Sequence, residues 1–509
     1  MANTDVKLSS VAKFAVYGIL CVLLSDISND TPTAFLVGRI VLAGLLYATL
    51  LLPARDAATL LLVIALAGQD IVSVGPADPE HMTSAIWQLS LGPLNPSAVF
   101  FGCLIYQLAR IRLYRAGWPI DGALLWFLSV PMVSGLLYGG VFLEFGVSEY
   151  VTDIRFPLML VGSVVLYGSV LRSHPGWAAE LVAALFGVLF ARHFMDVIYL
   201  AANYGAQGLA GVSRSSEDSA KGAVNLLILV GLVAMVVRGR RRLVGIAMVV
   251  VFGALSIAYA TRLIWVCLVL GGLVLLSILR GPRGLAVLVL SPVLIGSAAT
   301  LLTVLNPGSA LVAAVRAGTV THGRSAETFA VDVEYNVLSR IDPIRYAEAV
   351  NVLDSLGRRG AYLWGTGYGG YYEDDAVDFV ERRMGTSFPP FMYQSGRFFN
   401  THEFLTHVFL KHGAIGIALI ASVWILPGAA LVRALRRERA LNRGSPATMV
   451  IMTAALTAYL PTSMLHNYWS GKGLFLSGII IALCIHLARA RGALVGSQRG
   501  ARALVTPSG

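Results

Sequence analysis

Three of the nine histidines fall within eleven residues of the stretch RFFNTHEFLTHVFLKHGAIG, positions 397–416. They are His402, His407 and His412. Two histidines that share a zinc ion on one helix stand four residues apart, as in H-E-x-x-H, because that spacing places them on the same face. The spacing here is five, which turns successive histidines by about 140 degrees around a helix. We therefore expect no metal site at this stretch, and we expect the protein to use no cofactor.

His402 is the histidine best placed for acid–base chemistry. Asn400 and Glu403 have the spacing of a helix N-terminal capping pair, so His402 is expected in the first helical turn. The partial positive charge of a helix N-terminus disfavours imidazolium, and a neutral imidazole can accept a proton. His412 precedes Gly413 and is expected as an interface residue at the helix end. His407 is expected on the helix surface.

Arg262 is the second residue with a chemical signal, in the segment AYATRLIWVCLVLGGLVLLSIL at 258–279. It stands at the start of a long apolar helix, where a cation is unfavourable with respect to the helix dipole. An anion beside Arg262 would offset this cost. That anion is either a lipid phosphate headgroup or a pyrophosphate-linked substrate.

Other ionisable residues lie within apolar segments, where charges are costly and are candidates for function. In the orientation given below they fall in the outer halves of their spans: Arg39, Asp70, Arg192, His193 and Asp196. Arg192 and Asp196 are one helical turn apart and would satisfy each other if they only had a structural role. We favour an outward-facing cavity for a polar substrate, because the long polar segment of the chain lies on the same side.

The elements that carry these residues belong to a membrane protein. The 509 residues are 56% hydrophobic and 13% charged, with a mean hydropathy of +0.72. Apolar runs predict an all-α polytopic fold with about fourteen transmembrane helices and one large extracytoplasmic loop domain that contains short helices. The predicted spans lie near 9–25, 34–52, 57–75, 96–109, 121–143, 156–171, 177–199, 223–237, 243–259, 262–279, 285–305, 413–432, 446–465 and 473–488.

The net charge of +11 is concentrated in short connections between spans, such as RIRLYR at 110–115 and RGRRR at 238–242. Basic connections mark the cytoplasmic side. Both termini are therefore predicted in the cytoplasm, with the first span as an uncleaved anchor. Because this pattern explains the charge, we expect no nucleic acid as a partner.

Four regions follow from this pattern. Residues 1–305 hold about eleven predicted N-terminal spans, 306–412 form the outer loop with the candidate histidine, 413–488 hold about three spans, and 489–509 form a basic cytoplasmic tail. Residues 306–401 contain 9 Arg, 11 Asp plus Glu and no Lys. Arginine presents a planar fork of donors that suits phosphate or carboxylate. The alternative is a preference for Arg throughout the chain, which has only 5 Lys.

The outer loop contains two predicted helices. SRIDPIRYAEAVNVLDSLG at 339–357 has Asp342 as N-cap, Pro343 at the first position and Gly357 at its end. Its predicted buried stripe is formed by Tyr346, Ala349, Val350, Leu353 and Leu356, with Arg345 and Glu348 on another face. A second helix is predicted over 374–384. Between the two, LWGTGYGGYY matches G-x-G-x-x-G and is interpreted as a turn that allows close approach of the backbone to a neighbour or a ligand.

The order of these features resembles bacterial O-antigen ligases and O-antigen polymerases over about residues 243–432. The features are the Arg in ATRLIWVCLVL, the loop segment SRIDPIRYAEAV, the turn GTGYGG, and HEFLTHVFLKHGAIG. The sequence departs from the family in having Glu403 where the family has Asn. It also has Arg345 or Tyr346 where a Trp is usual in the loop helix.

The resemblance implies a metal-independent, inverting glycosyltransferase that polymerises O-antigen or exopolysaccharide repeat units at the outer face of the bacterial inner membrane. Its donor would be a polyprenyl (undecaprenyl) pyrophosphate-linked oligosaccharide. His402 would take the proton from the acceptor hydroxyl, and Arg262 with Arg340 or Arg345 would hold the pyrophosphate. Further candidates are Glu403, Arg192, and Lys472 or His466 in HNYWSGKG.

Several alternatives stay open. The same resemblance also fits an O-antigen ligase that transfers a finished glycan to the lipid A core. A transporter that flips lipid-linked oligosaccharides would also have many spans with buried charges. A different class of glycosyltransferase uses acids in the first outer loop, where this chain has Asp26 and Asp30. The expected partners are the lipid bilayer, the lipid-linked glycan, and a chain-length regulator or other polysaccharide-assembly protein.

Overall fold

The structure is a computed structural model that describes most of the helices and part of the outer loop. The described residues are 6–30, 32–67, 96–110, 122–141, 147–208, 223–236, 241–258, 267–275, 343–379, 390–401, 404–440, 453–459 and 471–490. Helix dominates these residues, in agreement with the predicted all-α class. The strand-like pairing found among them is a single antiparallel bridge between Tyr372 and Phe398.

The helices are numbered here in chain order. They are α1 (Leu8–Asp30), α2 (Pro32–Leu51), α3 (Ala54–Ala67), α4 (Pro96–Arg110), α5 (Gly122–Val141), α6 (Val147–Ser173), α7 (Ala178–Gly208), α8 (Val224–Val236), α9 (Arg241–Ala258), α10 (Pro343–Arg358), α11 (Pro390–Ser395), α12 (Phe404–Ala440) and α13 (Gly471–Ala490). A short 3-10 turn at Pro175–Trp177 joins α6 to α7. Residues 267–275 and 453–459 are also helical.

Apolar helices long enough to cross a membrane mark the chain as a membrane protein. Among the described residues they are Pro175–Met195, Phe404–Leu435 and Gly473–Ala490. Shorter apolar helices are Ser9–Leu23, Trp126–Gly139, Pro157–Ser173, Val224–Met235 and Arg242–Ser256. The predicted span 285–305 lies outside the described residues. The number of fourteen spans, their orientation and the four regions stay predictions.

The membrane helices pack through apolar side chains and approach closely at glycines. Gly18 of α1 faces α7, where an added Cβ would lie 2.7 Å from the Cβ of Ala191. In the α8–α9 pair, Gly231 and Gly245 face each other, and a Cβ on either would meet the other's carbonyl oxygen. Small residues are favoured at such contacts because, in a bilayer, helices associate by close packing of their surfaces.

The segment predicted as the outer loop has an apolar core of its own. It is formed by Ala347, Val352, Leu356, Tyr372, Val377, Phe379, Met392, Phe398 and Leu410. Phe398 is its centre, stacked on Tyr372 at 5.5 Å between ring centroids and in edge contact with Phe379 at 4.8 Å. Leu410 belongs to α12, whose Phe404 and Val408 lie in the core of the membrane bundle. The start of α12 therefore joins the two cores.

Helix α10 confirms the first predicted loop helix but only part of its buried stripe, in which Leu356 is buried. Leu353, predicted inside, is 46% exposed, whereas Glu348 and Asn351 are fully buried. The polar face turns inward because Asn351 exchanges two hydrogen bonds with the backbone of Val377, at 2.8 and 2.9 Å. The side-chain amide of Asn351 is satisfied by these two hydrogen bonds and can therefore be buried. The prediction from residue polarity assigned the wrong face of α10 to solvent.

The second predicted loop helix is wrong over its described part. Residues 374–379 form bends and turns instead of a helix. The amide of Phe379 donates to the Asp374 carboxylate at 3.1 Å, and the amide of Val377 donates to the side chain of Asn351. Side chains that accept these backbone protons compete with helical hydrogen bonds.

Candidate functional site

Helix α12 is broken at Gly413, directly after the histidine stretch. This residue has φ 63° and ψ −164°, a conformation that is essentially restricted to glycine. The break divides α12 into a short segment of residues 404–412 and a long segment of residues 414–440. A break in a membrane-spanning helix exposes backbone groups that must find partners.

The glycine turn of the loop supplies those partners for the end of the short segment. The amide of Thr366 donates to the carbonyl of Leu410 at 2.8 Å, and the amide of Gly367 donates to the carbonyl of Lys411 at 2.9 Å. The hydroxyl of Thr366 also donates to Leu410 at 3.0 Å. The turn therefore caps the last carbonyls of the segment that begins at Phe404.

The same loop accepts hydrogen bonds from the start of the long segment. The amide of Ala414 donates to the carbonyl of Tyr362 at 2.9 Å, and the amide of Ile415 donates to that of Leu363 at 3.2 Å. Both sides of the break are thus hydrogen-bonded to residues 362–367. We call this arrangement the interlock.

Glycines make the interlock sterically possible. Gly365 and Gly367 have φ of 71° and 78°. A Cβ on Gly365 would meet the backbone between Lys411 and His412, and a Cβ on Gly367 would meet the backbone of α5 at Gly139. The interpretation of G-x-G-x-x-G as a close-approach turn is confirmed, and the neighbour is helix backbone.

A buried ion pair reinforces the interlock. Lys411 Nζ lies 2.5 Å from Asp153 Oδ2 of α6, and the two side chains are 0% and 2% exposed. Lys411 also donates to the carbonyl of Gly370 at 2.6 Å, and the amide of Gly369 donates to Asp153 at 2.7 Å. This pair links α12, α6 and the turn. Loss of one partner would leave an uncompensated buried charge, which is strongly destabilising.

Tyr368 lies at the centre of this contact. Its amide donates to the Gly135 carbonyl of α5 at 3.0 Å, and its ring meets His412 edge-on at a centroid distance of 5.1 Å. Burial, and then the negative charge of Asp153, raise the pKa of Tyr368 well above its ordinary value. Its hydroxyl therefore stays protonated at neutral pH and cannot serve as a base.

The structure corrects the predicted positions of two histidines. His407, expected on the helix surface, is fully buried, and His412, expected at the interface, is 4% exposed. The reason is that the short segment of α12 is covered by the membrane bundle on one side and by the loop on another. The prediction that a helix ends beside His412 is confirmed by the break at Gly413.

The predicted base His402 and its neighbour Glu403 lie outside the described residues, as do Arg262, Arg340 and His466. The residues that flank His402 and Glu403 are Thr401 and Phe404, which are 4% and 3% exposed. The backbone of Arg345 is in α10 and that of Lys472 is in α13, but their side chains are not described. The roles given to all these residues stay predictions.

Anchors are present on both sides of these two positions. The bridge between Tyr372 and Phe398 holds the segment before Thr401, with hydrogen bonds of 3.0 and 2.9 Å. On the other side, the ring of Phe404 contacts that of Trp424 at 5.4 Å between centroids. The chain therefore enters and leaves the histidine position from fixed points.

Arg192 is buried in the membrane bundle, 2% exposed. Its Nη1 donates to the carbonyl of Leu66 at 3.3 Å, near the end of α3. A cation at a helix C-terminus is favourable with respect to the dipole. The side chain of Asp196 is not described, so the predicted pairing with Arg192 stays untested.

Lys411 and Asp153 were not among the site residues predicted from the sequence. A signal was available, because Lys411 is one of only 5 lysines and stands beside an apolar segment. A second missed cluster surrounds Tyr371, whose ring lies 4.3 Å from Arg359 Cζ and 4.7 Å from Arg397 Cζ. Neither cluster is contiguous in sequence, so spacing alone could not reveal the partners.

Comparison with known proteins adds no relative. No family model matches the chain, and no curated protein matches its sequence.

Proposed function

We propose that the protein is a membrane glycosyltransferase that transfers a polyprenyl-pyrophosphate-linked glycan to an acceptor sugar at the outer face of the membrane. The proposed product is a polymer of O-antigen or exopolysaccharide repeat units. The proposed reaction inverts the anomeric centre and needs no metal ion. This proposal rests on the order of sequence features around His402 and on the packing of the residues beside it.

The observation that carries the proposal is the interlock at Gly413. It holds the end of the segment that begins at Phe404, two residues after His402, by two backbone hydrogen bonds and the Lys411–Asp153 pair, and it holds the start of the long segment by two more backbone hydrogen bonds. A general base is effective only when its geometry relative to the reacting groups is fixed. The end of this segment is held at the interlock, and its start is held by the contact of Phe404 with Trp424. A helical segment held at both ends supports a positional role for the histidine that precedes it.

In the proposed reaction, the acceptor hydroxyl gives its proton to His402. The hydroxyl oxygen then forms a bond to the anomeric carbon of the donor sugar, and the bond from that carbon to the pyrophosphate oxygen breaks. Its electron pair leaves with the polyprenyl pyrophosphate. Arg262, with Arg340 or Arg345, would stabilise the charge that develops on the leaving oxygens.

The test is to supply the purified protein, in lipid nanodiscs, with a polyprenyl-pyrophosphate oligosaccharide. We expect chain extension in the presence of a chelator. Transfer to added lipid A core, without extension, would replace the polymerase by the ligase alternative. If neither product forms, the glycosyltransferase proposal is wrong.

A lipid-linked oligosaccharide transporter is the second candidate, and one observation favours it. Lys411 and Asp153 form a buried ion pair between helices of a membrane protein, and such residues often lie on transport pathways. The two candidates differ in what the charges do. If the pair is structural, the double variant Lys411→Met with Asp153→Leu keeps glycan transfer; if it carries transport, vesicles with this variant lose translocation of the labelled lipid.

A further inference from the structure

Two arginines of the outer loop converge on Tyr371. Arg359 Cζ lies 4.3 Å from the centre of the ring and Arg397 Cζ lies 4.7 Å from it, so both guanidinium groups contact the same ring although 38 positions separate them in the chain. Arg359 Nη1 also donates to the carbonyl of Tyr371 at 2.7 Å. We call these three residues the arginine–tyrosine cluster.

The position of the ring is fixed by its surroundings. Tyr371 is only 5% exposed and contacts Phe399 edge-on at 5.9 Å between centroids. The adjacent residue, Tyr372, forms the bridge to Phe398. An arginine over an aromatic face is held flat by the cation–π attraction, while the N–H groups at its edge remain available to a ligand.

The arginines of this region differ in how their charge is compensated. Arg358 contacts three carboxylates, those of Asp354, Glu373 and Asp375, at 2.5 to 3.3 Å. Arg359 has one carboxylate at 3.9 Å, that of Glu373. Arg397 is exposed and has no acidic partner among the residues that the structure describes. Positive charge is therefore in excess at the arginine–tyrosine cluster.

The cluster lies on the chain that leads to His402. Arg397 precedes Thr401 by four residues, so their Cα atoms are at most about 14 Å apart. The cluster belongs to the outer loop with its own apolar core, not to the membrane bundle. A group bound there would be on the glycan, because the glycan extends from the membrane into the loop region.

We propose that Arg359 and Arg397 bind an oxyanion substituent of the glycan, such as the carboxylate of an acidic sugar. The planar guanidinium fork suits a carboxylate or a phosphate, and the ring of Tyr371 holds two such forks in one part of the loop. This inference rests on the proposed function. The pyrophosphate of the lipid donor has the same binding chemistry, and the test separates the two sources.

The experiment measures equilibrium binding to the full-length protein in nanodiscs, by calorimetry. The ligands are trigalacturonate, its neutral methyl ester and inorganic pyrophosphate. We expect trigalacturonate to bind and the ester not to bind. Arg397→Gln and Arg359→Gln should each weaken trigalacturonate binding roughly tenfold or more, because a charge-assisted hydrogen bond is lost.

Arg358→Gln is the matched control. It removes the same charge one residue away from Arg359, but from a side chain already engaged by three carboxylates. It should weaken trigalacturonate binding much less than Arg397→Gln does, because the one change it makes at the cluster is to leave Glu373 to Arg359 alone. If Arg358→Gln weakens binding as much as Arg397→Gln does, the binding depends on the general positive charge of the loop, and the inference of a specific site is wrong.

Two other results overturn the inference. Either trigalacturonate does not bind, or pyrophosphate binds with the same dependence on Arg397 and competes with the sugar acid for the site. These outcomes are separate from failure of the proposed function, because binding requires no transfer. A protein that binds trigalacturonate but transfers no glycan would keep the inference and lose the glycosyltransferase proposal.

Discussion

The N-terminal bundle and the interlock around Gly413 are held together by different forces. Helices α1 and α7 meet through apolar side chains and glycines, as where Gly18 approaches Ala191. The interlock instead uses directional backbone hydrogen bonds and the buried Lys411–Asp153 pair. Apolar surfaces tolerate small shifts along each other, whereas hydrogen bonds and charges in a low-dielectric site fix one arrangement.

This difference indicates where the protein needs a fixed geometry. The bundle spreads its stability over many contacts of similar size. The interlock concentrates stability in a few groups at the end of the helical segment that begins at Phe404, so single substitutions there should have large and local effects. Substitutions in the bundle that add or remove a similar number of atoms should lower the stability less.

The largest expected effect comes from Lys411→Met. It leaves the Asp153 carboxylate buried without its cation, at a cost of about 3–5 kcal/mol. Equilibrium unfolding in mixed detergent micelles measures this loss. Lys7→Met, at an exposed lysine just before α1, is the control and should leave stability unchanged. Adding Asp153→Leu to Lys411→Met should restore much of the loss, and a double variant as unstable as the single one would contradict the ion-pair explanation.

Gly413→Ala has the next largest expected effect on stability. The backbone conformation at this position costs an alanine about 1–3 kcal/mol, and its Cβ would also collide with the backbone of Leu363 and Trp364. We expect the loop to detach from α12, which limited proteolysis within 343–379 detects as faster cleavage. Gly44→Ala is the control, since nothing lies within 4 Å of its added Cβ. Equal cleavage of both variants would show that the break does not need a glycine.

Gly18→Ala tests the bundle. The new methyl group would lie 2.7 Å from Ala191 Cβ and 3.3 Å from the Val188 Cα, so α1 and α7 must separate slightly. Overpacking of this kind costs about 1–3 kcal/mol. Because the bundle can shift, we expect a lower unfolding midpoint with no change in proteolysis of the loop. Faster loop cleavage in this variant would mean that the two regions are more tightly coupled than the contacts indicate.

Thr366→Val has the smallest expected effect on stability. It removes the hydroxyl that donates to Leu410 but keeps the amide that donates to the same carbonyl. The free energy of unfolding should fall by about 1 kcal/mol. Ser422→Ala is the control, because it removes an exposed hydroxyl that donates to the carbonyl of Ala418. It should leave the free energy of unfolding unchanged in the same measurement. A loss at Thr366 as large as that at Lys411 would contradict the ranking of the forces.

Local patterns predicted the mostly helical fold, helix α10 and the glycine turn, because these depend on nearby residues. The apolar runs, the proline at the start of α10 and the positive-φ glycines are readable from the sequence. The partners are not readable, since Lys411 and Asp153 are 258 positions apart. The inward face of α10 was misassigned for a related reason, because Asn351 is polar but is satisfied by a distant backbone. The chemical role of His402 likewise depends on distant groups and stays a prediction.

The most direct test of the catalytic role of His402 is glycan transfer by His402→Ala. The assay supplies polyprenyl-pyrophosphate oligosaccharide and follows the amount and length of the product, beside the unfolding midpoint of each variant. His174→Ala, at an exposed histidine between α6 and α7, is the matched control. We predict that His402→Ala forms no product while it keeps the unfolding midpoint of the wild type, and that His174→Ala is fully active. Product of wild-type amount and length from His402→Ala would contradict the assignment of this histidine as the base.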